Sequence, residues 1–169
     1  MKKFELTAEF VTNVFGKKLF RIKALVAFGN VEKGELGGFI EKEDNLSHGG
    51  NAWVFGNARV SGDARVFGNA QVSGNAQVSG DARVSGNAQV FGNADYAVVT
   101  GFGRYFRATT FFRCKDKILR IQCGCFYGDL AQFREIVKKT HGDSKYAKEY
   151  LAIADLMELH FSDECGGEQ

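Results

Sequence analysis

Between Gly50 and Tyr96 small and apolar residues recur with a period of six. The units read GNAWVF, GNARVS, GDARVF, GNAQVS, GNAQVS, GDARVS and GNAQVF, and end in GNADY. In each full unit an Ala precedes a Val by two positions, from Ala52/Val54 to Ala88/Val90. Alternation by two is strand periodicity, so Ala and Val share an inward face. The Gly-Asn or Gly-Asp between units tolerates the positive φ of a sharp corner. Identical units return after eighteen residues: GDARV at Gly62 and Gly80, GNAQV at Gly68 and Gly86. Six residues per side and eighteen per coil make three sides. Asp63 then stacks with Asp81, and Arg65 with Arg83, about 4.8 Å apart. Asn51, Asn69 and Asn87 form one corner column, and Asn57, Asn75 and Asn93 another. Their stacked amides are expected to bond along the axis. Ala and Val make a thin core, and a short stack of coils has open ends that need caps.

The flanks show other periods. Phe4 to Thr7 and Leu19 to Leu25 read as strands, with Gly16-Lys17-Lys18 as a turn. Phe28 to Ser47 reads as an irregular first coil with Leu36, Ile40 and Leu46 pointing inward. After the repeat, Ala97 to Thr100 predicts a short strand. A hairpin follows, from Arg107 to Cys114 and from Ile118 to Cys125. With a two-residue turn at Asp116-Lys117, one face carries Ala108, Thr110, Phe112 and Cys114 with Leu119, Ile121, Cys123 and Cys125. The other carries Arg107, Phe111, Arg113, Arg120 and Gln122. Asp129 is placed to cap a helix over Leu130 to Thr140, closed by His141-Gly142. Its apolar stripe is Leu130, Phe133, Ile136 and Val137. Asp143 or Ser144 is placed to cap a second helix, from Lys145 to about Phe161. Its stripe is Tyr146, Tyr150, Ile153, Leu156, Met157 and Phe161. The tail from Ser162 is polar and expected to fray. The divisions are therefore 1–49, 50–96 and 97–169, with the last placed to cap the open coil.

The six-residue period resembles the hexapeptide-repeat family, whose solenoid is a left-handed parallel β-helix of triangular section. The entry LGGFIE, NLS and GNAWV is similar to the start of phage, prophage and bacterial proteins built on such repeats. The stretch TTFFRCKD, CGCF, THG and KYAKEYL resembles a module that follows such repeats in phage and prophage proteins. The expected class is mainly β: a left-handed β-helix with N-terminal strands and a C-terminal hairpin plus two-helix cap. The resemblance implies a phage context and, as hexapeptide proteins are commonly trimers, a homotrimer. It implies no established activity.

Composition narrows the classes. The chain has 169 residues, 21 Gly and no Pro, with a net charge of only +2. So even a balance argues against an extended nucleic-acid partner. No apolar run approaches the roughly 20 residues that span a bilayer. Met1-Lys2-Lys3-Phe4 runs straight into charged Glu5, which does not read as a secretory leader. Four cysteines at 114, 123, 125 and 165 are not a disulfide framework. We expect a reduced protein in the bacterial cytoplasm.

Candidate chemistry lies at the ends. Hexapeptide acyltransferases use a histidine base, yet no histidine falls between His48 and His141. His48 is either that base or a solvated corner residue. Three scattered histidines do not make a three-histidine metal site. Cys114, Cys123, Cys125 and His141 read as core packing, a metal set or a nucleophile, but one residue between Cys123 and Cys125 is short for structural zinc. We expect no metal and no cofactor. Arg107, Arg113 and Arg120, with Phe111 among them, make either a clamp for an anionic, nucleotide-like ligand or a solvated hairpin face. Trp53, Phe55, Phe67 and Phe91 should point outward and bury against a trimer partner or the chain's own helices. The leading expectation is a non-enzymatic binding protein that engages an anionic ligand or a host protein, with counter-defence as the role that a phage context implies. An acyltransferase with His48 or His141 as base, and a virion structural protein, are the alternatives.

Overall fold

A computed structural model describes residues 1–162. Residues 163–169, which include Cys165 and nearly all of the tail expected to fray, lie outside the described residues.

Each hexapeptide makes one two-residue strand. These are β4 (Trp53–Val54), β5 (Arg59–Val60), β6 (Arg65–Val66), β7 (Gln71–Val72), β8 (Gln77–Val78), β9 (Arg83–Val84) and β10 (Gln89–Val90). They follow β1 (Phe4–Thr12), β2 (Lys18–Ala24) and β3 (Leu36–Ile40). Pairing is parallel at the eighteen-residue interval: Val54 with Val72, Val72 with Val90, Val60 with Val78, and Arg65 with Arg83. Three stacks result, β4-β7-β10, β3-β5-β8 and β6-β9. Every repeat Ala and Val from Ala52 to Val90 is fully buried in one column. The corner amides differ from expectation. Asn69 Oδ1 accepts from the Asn51 backbone at 3.3 Å, and Asn93 Oδ1 from the Gln77 backbone at 2.8 Å. These bonds join a side chain to the main chain.

A parallel stack leaves both N–H and C=O groups unpaired at each end, so each end needs acceptors and donors. Each strand donates N–H to the coil after it, as from Trp53 to the Ala70 carbonyl. The first coil presents outward groups of both kinds, such as the Ala52 and Ala64 carbonyls and the Gly62 N–H, and the last presents the Gln77 carbonyl and the Arg83 N–H. Both kinds of partner cover the first end, where Glu41 Oε1 accepts from the Gly62 N–H at 2.9 Å. Lys3 Nζ donates to the Ala52 carbonyl at 2.7 Å, and Asn45 Nδ2 to that of Ala64 at 2.8 Å. The Phe39 N–H donates to the Ala58 carbonyl at 3.0 Å. Burial lowers the Lys3 pKa to about 8. The other end likewise has acceptors, Asn93 Oδ1 for the Gln77 N–H and Thr110 Oγ1 for the Arg83 N–H at 2.9 Å, and donors, the Tyr96 hydroxyl to the Gln77 carbonyl and the Lys115 N–H to the Asn87 carbonyl at 2.9 Å.

Beyond the solenoid, β11 (Tyr96–Val99), β12 (Thr109–Arg113), β13 (Leu119–Cys123) and β14 (Phe126–Asp129) form an antiparallel sheet in chain order. Helices α1 (Leu130–His141) and α2 (Lys145–His160) pack on its far face. Asp129 accepts from the Gln132 N–H and Ser144 from the Ala147 N–H, the expected caps. The sequence does not predict β14.

Four further expectations fail. Thr109 pairs with Cys123 and Arg113 with Leu119. The turn is thus three residues, Lys115 to Lys117, with Lys117 at φ 67°. One extra residue exchanges the faces of one strand relative to the other. Phe112 now enters the solenoid core with Cys114, while Phe111 and Ile121 face the helices. Trp53 is 0% exposed. It points out of the coil, but Phe4 and Phe28 cover it edge-on, at 6.3 and 5.2 Å between ring centres. Leu36 is 53% exposed, although Ile40 and Leu46 are buried. Ile136 and Leu156 are exposed, and Ala147 and Ala154 take the buried positions on α2.

Candidate functional site

The expected arginine clamp is not assembled, and the three-residue turn is the reason. Arg120 lies opposite Phe112 on the solenoid side, where Nη1 donates to Asp116 Oδ1 at 2.9 Å. That bond holds the Asp116 carboxyl below its usual range. Arg113 lies on the helix side. Its Nη2 donates to the Phe161 carbonyl at 3.1 Å, and its Nε is 3.4 Å from Asp95 Oδ1. Phe111 is fully buried against Phe133. Both arginines and Phe111 are spent on structure.

Arg107 is the member that remains. It is exposed, and its guanidinium sits over the Tyr105 ring at 5.1 Å. Arg104 approaches the same ring at 5.7 Å. Neither has an ion-pair partner among the described residues. Between them Phe106 holds φ 55°, a left-handed conformation that costs a bulky residue about 1 kcal/mol or more. Neither Arg104 nor Tyr105 is among the residues expected from the sequence to form the clamp. The available signal was the string Arg104-Tyr105-Phe106-Arg107, an aromatic pair between two cations.

Arg104, Tyr105 and Arg107 line a cleft of about 230 Å³. Phe126, Phe133, Ile136 and Val137 supply its apolar walls, and Cys123, Cys125, His141 and Tyr150 line it as well. His141 stacks on Tyr150 with ring centres 5.8 Å apart. Burial first, and then the neighbouring Cys123, push the Tyr150 hydroxyl up to about 12. Tyr150 therefore stays neutral at physiological pH and presents a hydrogen-bonding group. No Asp or Glu lines the cleft among the described residues. A second hollow of about 530 Å³ lies on the other side of Arg107, lined by Asp63, Asp81 and Arg83. Its charges are mixed, so it selects an anion less well.

The cysteines also part company. Cys114 is buried against the solenoid, where desolvation raises its pKa. Cys123 is half-buried and Cys125 exposed. The three thiols do not share the one apolar face expected of them. No group of three or more metal-ligating side chains comes together among the described residues.

His48 is committed to structure. Its Nδ1 accepts from the Lys3 backbone at 3.1 Å, Nε2 lies 2.7 Å from Glu43 Oε1, and its ring stacks on Phe4 at 4.2 Å. Of the four aromatic residues expected at an oligomer interface, Trp53 is buried within the chain. Phe55 is half-buried and packs on the solenoid core, and Phe67 is half-buried. Phe91 is 52% exposed. No helix among the described residues is long and apolar enough to cross a membrane.

No curated protein matches the chain. A family model of the YdcK beta solenoid repeat matches residues 58–74 and 76–92. The match falls within the stacked hexapeptides, so the middle of this chain is similar to a β-solenoid repeat in sequence as well as in strand pairing.

Proposed function

We propose that this is a non-enzymatic binding protein. In this reading a left-handed, three-sided solenoid acts as a rigid mount, and the C-terminal α/β module takes a small anionic ligand with an apolar or aromatic body. One observation carries the reading: Arg104 and Arg107 line an apolar cleft that no carboxylate lines among the described residues. Guanidinium groups bind phosphate and carboxylate through paired N–H donors. The Phe126 and Phe133 walls suit a flat apolar body.

The phage or prophage setting, a host-protein partner, interference with host defence and a cytoplasmic location belong to the same proposal. They rest on the resemblance of the flanking motifs. A homotrimer is part of it too, with Phe91 as its main exposed aromatic contact. The acyltransferase reading is weaker, because both ring nitrogens of His48 are already engaged.

The test is a thermal-shift panel of nucleoside phosphates, aromatic carboxylates and inorganic phosphate. The parent chain should be stabilised by at least one aromatic anion. Arg104→Ala/Arg107→Ala should melt within about 0.5 kcal/mol of the parent, as exposed substitutions do, and lose that response at least tenfold. A double variant that responds as the parent does would rule out this cleft as the anion site.

A further inference from the structure

We propose that Cys123 and Cys125 are an exchangeable dithiol that closes a disulfide across Gly124, in the wall of the cleft. The argument begins with the backbone. Cys123 pairs with Phe126 at the end of the β13–β14 ladder. That leaves Gly124 and Cys125 as a two-residue hairpin turn, with Gly124 at φ 57°. Residues two apart are separated by at most about 7 Å in extended chain, and a tight turn shortens this. A disulfide accepts Cα separations of about 4.4–6.8 Å. Both residues also line the same cleft.

The surroundings favour exchange. Cys125 is exposed and meets an oxidant first, while Cys123 is half-buried behind it. Thr109 Oγ1 donates to Cys123 Sγ at 3.2 Å. The Arg107 guanidinium lies so close over Gly124 that a side chain there would collide with Nη1. Negative charge builds on sulfur during exchange, so a hydroxyl donor and a cation beside the pair assist it. Cys114 has no such access.

The chemistry is a two-step exchange with a small-molecule disulfide of the glutathione type. The Cys125 thiolate attacks one sulfur of that disulfide, forms a mixed disulfide and releases one thiolate. The Cys123 thiolate then attacks Cys125 Sγ, closes the internal bond and releases the second. The two protein thiols are oxidised, one small disulfide is reduced to two thiols, and the two protons end on the released thiols.

The experiment treats the full chain, in a Cys165→Ser background, with glutathione disulfide. Intact mass and peptide mapping provide the readout. The expected product has lost two hydrogens, carries no glutathione and shows Cys123 joined to Cys125. Cys123→Ser should stop at a stable mixed disulfide on Cys125. A parent chain that accumulates the mixed disulfide with Cys123 still free, or that keeps both thiols, overturns the proposal. These readouts involve no anionic ligand, so failure of anion binding leaves them unaffected.

Discussion

The solenoid and the C-terminal module solve the same problem, burying a thin apolar layer, by opposite means. In the solenoid one residue pattern is repeated, and each coil meets a copy of itself at Val54, Val72 and Val90. An error in phase would move every Ala and Val, so the period itself specifies the register. In the module each strand meets a different neighbour. There the length of one turn decides which of Phe111 and Phe112 enters which core. Redundancy makes the first region legible and tolerant of added coils. Its absence makes the second compact, distinctive and sensitive.

The largest expected effect tests that sensitivity. Deleting Lys117 shortens the β12–β13 turn to two residues and drives one strand's faces apart from the other's. Phe111 and Phe112 are both fully buried, and each stabilises the fold by about 1.5–3 kcal/mol through burial. We expect loss of the module's cooperative melting, read by calorimetry and by hydrogen exchange on α1 and α2. The matching experiment on the solenoid inserts a duplicate of residues 62–79, one whole coil. It should fold with an unchanged or higher melting temperature, as nearest-neighbour stacking predicts. A deletion that melts like the parent, or an extra coil that unfolds the chain, would erase the contrast.

A smaller effect separates corners within the solenoid. Gly74 and Gly80 have nearly the same φ, 63° and 66°. A Cβ on Gly74 would strike the Phe91 carbonyl oxygen, whereas one on Gly80 meets open space. Gly80→Ala should cost about 1–2 kcal/mol, the left-handed penalty alone. Gly74→Ala should cost at least about 1 kcal/mol more, because backbone must shift. Equal losses in urea denaturation would show that stacking does not constrain the corner.

The smallest effect concerns the solenoid's first end. Lys3 titrates near 8 in the folded chain against an ordinary 10.5. Between those values the unfolded chain keeps the proton and the folded chain has released it. Stability therefore rises with pH across that window, by about 1–3 kcal/mol. Lys3→Met should flatten the rise relative to the parent at each pH. The comparison also cancels Cys114, whose raised pKa acts in the opposite sense as pH increases. An identical pH profile for parent and variant would remove Lys3 from the cap.

The hexapeptide phrase from Gly50 to Tyr96, read alone, determined the strands, the eighteen-residue stacking and the buried Ala/Val column. Each of these depends on chemistry that recurs at fixed spacing. The helices were legible for a similar reason, since Asp129, Ser144 and Gly142 act on their nearest neighbours. Only the tertiary structure decided the site. Arg113 and Arg120 were drawn to Asp95 and Asp116, Trp53 disappeared beneath Phe4 and Phe28, and Tyr105 joined Arg104 and Arg107 over an apolar cleft. The physical reason is that a partner distant in the chain leaves no periodic mark, and a one-residue change in a turn reverses a face without altering the residues on either strand.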